Sequence, residues 1–131
     1  MTAPTQASRD AVALVSASPN AILLLSAELT VAAASEAWAR AFGAARDEVV
    51  GHDIRRTLAG SDSLDALVAS VRTALRTGEP HQMAPGLFRA ASNTDEERHQ
   101  RLIEVLNTPV RADGEIRWVL QQAREKGAAE R

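Results

Sequence analysis

The chain has 131 residues, 15 basic and 17 acidic side chains, a net charge of −2 and no cysteine. A chain of that length suits one domain that buries about two-thirds of its unfolded surface without covalent staples. The missing thiol excludes disulfides, thiolate metal sites and thiol catalysis, and the near-balance of charge leaves no field to steer a nucleic acid.

Residues 1–5 read as a disordered tail. Residues 6–17 form an N-terminal flanking helix, with Ala7, Ala11 and Leu14 on one edge and Val12 and Val15 on another. Ser18-Pro19-Asn20 stops it, because proline disfavours helical backbone in the residue before it. Ala21-Ile-Leu-Leu-Leu25 is a short, wholly apolar run and predicts a buried strand; Ser26–Leu29 turn the chain, and Thr30–Ala33 return it as a second strand. Ser35 is placed to cap a short helix with Trp38, Ala41 and Phe42 on one face, closed by Gly43. Asp47–Val50 add one turn, and residues 52–58 a short irregular or helical piece.

The longest helix is expected over 62–77. Leu64, Leu67, Val68, Val71 and Leu75 make its apolar stripe, and Gly78 and Pro80 end it. Residues 81–90 predict a strand, and Pro85-Gly86 within it argues for a sheet edge or a bulge. A polar loop over 91–97 leads to two closing strands, 98–107 and 115–124, and residues 125–131 read as a polar tail. Asp113-Gly114 between the closing strands is a strong hairpin signal. The order of elements is α+β, an antiparallel sheet of five strands with the helices on one face.

Three phrases in this order resemble the PAS family of sensor domains over about residues 10–124. Ser18-Pro-Asn-Ala-Ile-Leu-Leu-Leu25 resembles its opening phrase. Glu48-Val-Val-Gly51 resembles the motif after its first short helices. Asn107-Thr-Pro-Val110 with Asp113-Gly114 resembles its final hairpin. The nearest kinship is with the PAS sensors of bacterial histidine kinases and response regulators. The chain departs from the pattern at Ser26, where many relatives have Asp, and at Ser35, where many have Asn. It departs again at Arg124–Gly127, where many end in Asp-X-Thr and couple the sheet to an output helix.

The resemblance implies a PAS-like domain over 18–124 that is a non-catalytic sensor or regulator. It would bind a small ligand or a protein partner such as a histidine kinase or response regulator. The long helix would wall a cavity, for which Leu23, Trp38, Phe42, Ile54, Leu67, Val71, Met83 and Ile103 are the candidate lining. Such domains commonly pair through the flanking helix and the outer sheet face. Ala11, Val12, Leu14, Val15 and Val119 are the candidate homodimer contacts. The closing strands carry apolar residues on both faces, with Ile116, Trp118 and Leu120 opposite Val119, so both faces need cover.

No cofactor is expected. Heme-binding relatives place a His on the long helix, which has none here; His52, His81 and His99 read as ordinary surface residues, and no metal-ligand spacing is present. Covalent flavin and the Cys-linked blue-light chromophore need a thiol. Non-covalent flavin is open to Asn107, Gln121 and Gln122, though sheet polars of this kind ordinarily face water. No nucleophile elbow, phosphate loop or acid–base pair appears, and a small hydrolase or isomerase on a related scaffold is the disfavoured alternative. A ligand-free homodimerisation module is the other, and it predicts a filled core. No apolar run reaches the ~20 residues that span a bilayer. The N-terminus also lacks the basic and apolar regions of a signal peptide, so a cytoplasmic location with no membrane partner is expected.

Overall fold

The computed structural model describes residues 6–91 and 100–128. The expected tail over 1–5, most of the 91–97 loop, His99 and the last three residues lie outside them. Helix α1 (Gln6–Ala17) leads into the hairpin β1 (Ile22–Ser26) and β2 (Val31–Ala34). Helix α2 (Glu36–Phe42), a 3-10 turn at Arg46–Glu48, α3 (Ile54–Thr57) and the long α4 (Leu64–Thr77) follow. The chain closes with β3 (His81–Phe88), β4 (Arg101–Ala112) and β5 (Glu115–Ala128). The five strands form one antiparallel sheet in the order β2-β1-β5-β4-β3.

Local chemistry explains the corners. Asp113 and Gly114 both have positive φ, 56° and 80°, and join Ala112 to Glu115 as a two-residue type I′ turn. β3 is an edge strand, and its ladder with β4 shifts register between Met83 and Gly86, where Pro85 sits. Ser26, in place of the acid of many relatives, keeps the turn function: its Oγ accepts from Thr30 N at 3.1 Å. Ser35 does three things at once. Its Oγ accepts from Trp38 N and from Ile22 N, both at 3.1 Å, and donates to Asn20 O at 2.6 Å. Thus one buried hydroxyl caps α2 and ties it to the start of β1.

The sheet has two apolar faces and two cores. On the inner face α2, α3 and α4 bury Leu23, Leu25, Trp38, Phe42, Ile54, Leu67, Val71, Phe88, Ile103, Val105 and Val119 in one cluster. On the outer face α1 lays Val15 onto Leu24 and Ala33, with Ala11, Val12, Ile22, Trp118 and Leu120 half-buried around them. The helices therefore share one face only from α2 onward; the flanking helix covers the other.

Several boundaries differ from expectation: β4 runs on to Ala112 rather than ending at residue 107, and α4 and β3 are each two residues shorter than expected. β2 begins one residue later than expected, at Val31; the Thr30 carbonyl still accepts from Ser26 N at 2.9 Å, and Thr30 forms an isolated bridge with Asp53. β5 runs on to Ala128, where Arg101 pairs Ala128 and Leu102 pairs Gly127, so residues 125–128 are strand rather than tail. The ladder partner for those residues is the first third of β4, which polar composition alone did not reveal. No helix among the described residues is long and apolar enough to cross a membrane.

Candidate functional site

All eight side chains expected to line an interior space come together. Leu23, Trp38, Phe42, Ile54, Leu67, Val71, Met83 and Ile103 belong to the single inner cluster, and none is more than 7% exposed. They are packed on one another. Trp38 and Phe42, one turn apart on α2, stack at 4.1 Å with planes 19° apart, and Phe88 leans on Phe42 at 5.6 Å. Surface grooves lie elsewhere, among them one between the 3-10 turn and α3, near His52 and Arg56, and one on the outer sheet face at Ile22, Leu106 and Gln122.

Within this apolar cluster runs a chain of polar groups from four elements and the start of a fifth. Trp38 Nε1 on α2 donates to Gln121 Oε1 on β5 at 3.1 Å. Gln121 Nε2 donates to Asn107 Oδ1 on β4 at 3.1 Å. Asn107 Nδ2 donates to Ser70 Oγ on α4 at 2.9 Å. Ser70 Oγ meets His81 Nδ1, the first residue of β3, at 2.7 Å. Gln121 and Asn107 are 0% exposed and Ser70 2%; His81 is half-buried. Every buried side-chain nitrogen and oxygen among the described residues has a partner. That matters energetically, since an unpaired buried amide costs about 1–3 kcal/mol.

Asn107 and Gln121 are thus interior residues, contrary to the expectation of exposed sheet polars, and only Gln122 faces outward. The alternation of β5 places Gln121 beside Val119 and Ala123, on the helix side. His81 is likewise more than a surface residue. Ser70 escaped the sequence reading altogether; its signal was its place one turn from Leu67 and Ala74, on the buried stripe of α4. A flat cofactor such as flavin would need the amide edges of Asn107 and Gln121. Those edges are spent on each other, on Trp38 and on Ser70, so the site as built does not fit flavin. Among the described residues no three His, Asp or Glu side chains cluster to hold a metal.

The candidate dimer contacts divide. Leu14 is 74% exposed on α1, and Ala11 and Val12 are half-buried at its edge. Val15 is buried beneath the helix. Val119 is 0% exposed on the inner face, packed among the core residues, and offers nothing to a partner. The outward row of β5 is Trp118 and Leu120, paired across the ladder with Val110 and Thr108.

The electrostatics are local. Asp53 caps α3 by accepting from Arg55 N at 2.8 Å and holds the Arg55 guanidinium in a two-point ion pair at 2.9 and 2.6 Å. The hydrogen bond from Arg55 sets the Asp53 carboxyl below its ordinary range.

A five-stranded antiparallel sheet in the order 2-1-5-4-3, with helices crossing its inner face, defines a sensory and signalling domain class. The structure is similar to a PAS domain from Colwellia psychrerythraea (TM-score 0.68, 10% identity, 91% of this chain and 96% of that one). It is similar to the PAS domain of nitrogen regulation protein NR(II) from Vibrio parahaemolyticus (TM-score 0.63, 16% identity, 88% and 96%). It is also similar to a LOV protein from Rhodobacter sphaeroides (TM-score 0.69, 21% identity, 93% and 68%). A search of curated proteins finds no match. The family model for the PAS fold matches residues 9–131, and the chain belongs to that family.

Proposed function

We propose that this PAS domain is a non-catalytic regulatory module of bacterial signal transduction that acts through protein contacts, first of all with a second copy of itself. One observation carries the reading. The polar groups that would greet a ligand inside the domain are paired with one another around the stacked Trp38 and Phe42, while apolar side chains remain at the surface on α1 and the outer sheet face. A partner histidine kinase or response regulator is the expected recipient of the signal, by likeness to sensor PAS domains such as one from a two-component sensor histidine kinase. A domain of this kind shifts its partner only through unequal affinity for two states.

Sedimentation velocity on the wild-type chain and on Leu14→Glu and Trp118→Glu tests this. A dimer that both substitutions dissociate supports the reading; a wild-type monomer at high micromolar concentration overturns self-association. Native mass spectrometry of protein taken from a cell extract tests the filled interior. Extra mass bound to each subunit would return the function to small-ligand sensing.

A further inference from the structure

A groove of about 540 Å³ lies between α3 and the outward flank of α4. Its floor is apolar: Leu64 is half-buried, Val68 is buried and Ala69 is open to the groove. Its rim carries three arginines, Arg55 from α3 and Arg72 and Arg76 from α4, against one acid, Asp65. Helical spacing makes this pattern. Leu64, Val68, Arg72 and Arg76 follow one another four residues apart and form a single row along α4, apolar at its start and basic at its end.

The arginines are poised for an anion. Arg72 and Arg76 are exposed, and among the described residues neither has an ion-pair partner. Like charges one turn apart oppose each other on a helix, so an acid placed between them relieves a local repulsion. Arg55 is held differently. Its Nε and Nη2 donate to the two oxygens of Asp53, which leaves Nη1 as an outward donor on a guanidinium already fixed in place.

We propose that this groove docks an acidic amphipathic helix of a partner protein. Carboxylates three or four residues apart on such a helix match the one-turn spacing of Arg72 and Arg76. Its apolar side chains then lie on Leu64, Val68 and Ala69. The row from Leu64 to Arg76 is about 18 Å long at 1.5 Å per residue, room for some three turns of a partner. The apolar floor is what favours a protein. A phosphate backbone would use the arginines and leave the floor unmatched, and the chain as a whole carries a net −2. Asp65 repels a carboxylate placed opposite it, so it selects the register in which the helix binds. α4 packs on the inner face of the sheet and α1 on the outer one. The groove therefore stays open in a dimer built on α1 and the outer face, and the inference does not rest on self-association.

The test is a selection. A displayed library of random peptides of about 16 residues, some four helical turns, is selected on the full chain. The enriched peptides are then measured by fluorescence anisotropy on the wild type and on the double variant Arg72→Gln with Arg76→Gln. Both side chains are exposed, so the double variant should unfold at the wild-type temperature. The expected peptides carry Asp or Glu three or four residues apart beside Leu, Ile or Val. They should bind the wild type about tenfold more tightly than the double variant, the equivalent of two exposed ion pairs. In nitrogen-labelled chain they should move the Arg55 Nε–H signal and the Val68 and Ala69 amides. Salt should weaken them, because the screening length falls from about 10 Å at 0.1 M to about 3 Å at 1 M. A selection that enriches nothing overturns the proposal, as do enriched peptides that are neutral or basic. Acidic peptides that hold the double variant as tightly as the wild type overturn it too. A single-stranded RNA that moves the same signals at lower concentration than the peptides would put a nucleic acid in the groove and overturn the protein partner.

Discussion

Asn107 and Gln121 face each other across β4 and β5, and the Gln121 amide donates to the Asn107 oxygen at 3.1 Å in a core otherwise built of Leu, Ile, Val and aromatic rings. Two polar side chains of this kind are neutral to stability only while both are matched. Gln121→Leu strands the Trp38 N–H and the Asn107 oxygen, and Asn107→Leu strands the Gln121 nitrogen. Each single change should cost about 1–3 kcal/mol. The double change should cost less than the sum of the two, because it removes the pair together. Urea unfolding of the four proteins measures the coupling; strict additivity would mean the two amides do not act as a unit.

Two glycines should fail for opposite reasons. Gly114 has a φ of 80° and open space around it, so Gly114→Ala meets only backbone strain, about 1 kcal/mol. At Gly86 no positive φ is involved, but an added methyl would lie 2.7 Å from Ser63 Cβ and 3.0 Å from the Phe88 ring. Ser63 is also held in place, since its Oγ accepts from Leu87 N at 2.8 Å. Gly86→Ala should therefore cost about 1–3 kcal/mol as overpacking. Equal midpoints in denaturant for the two variants would contradict this division.

Ser35→Ala deletes three hydrogen bonds at a site 0% exposed and should cost about 1–3 kcal/mol, of which the helix cap alone is about 1. Asn is the residue of many relatives and caps comparably, so Ser35→Asn should lose less. Thermal unfolding of the two variants ranks them.

The Asp53 carboxyl titrates below its unfolded value because Arg55 hydrogen-bonds it. The sign follows directly. A depressed acid stabilises the fold above its unfolded pKa, about 3.9, and loses that contribution as pH falls through the folded value. Both partners are more than a third exposed, so solvent screening keeps the ion pair weak. Asp53→Asn, which keeps a capping oxygen, should be slightly less stable than wild type at pH 7. The two curves should converge as pH falls through the folded value. A gap that persists in stronger acid would assign the effect to the cap or the Thr30 bridge instead.

The punctuation of the fold was legible in the residues. Asp113-Gly114 marked the hairpin, Pro85 the edge strand, Ser35 and Gly43 the ends of α2, and each signal is local, a backbone angle or a missing N–H. What escaped was the choice of face. On β5 the row Ile116, Trp118, Leu120 is the more apolar and invites reading as the core. The structure puts Trp118 and Leu120 outside, half-covered by α1, and turns Val119 and Gln121 inward, while a register shift at Val110/Arg111 sets Ile116 apart, beside Gly78 at the end of α4. Residue type favours one row and register the other. Register wins because Val119 and Gln121 pair Leu25 and Leu23, whose side chains are already committed to the helices. The interior hydrogen-bond chain was missed for the same reason: its five members are distant in sequence, and only the ladder with α2 and α4 brings them together.

The unequal size of the two cores gives the domain two scales of opening. α1 rests on a satellite patch whose fully buried members are Val15, Leu24 and Ala33, while the inner cluster joins every other element. Lifting α1 forfeits little of the folding free energy and bares Leu24 and the Trp118 row without disturbing Trp38. Amide exchange should therefore find α1 protected by far less than the global stability, with β1, β4 and β5 at the top of the scale. A helix that detaches below the threshold of unfolding is a hinge as well as a cover: the surface it hides can be lent to a partner and taken back.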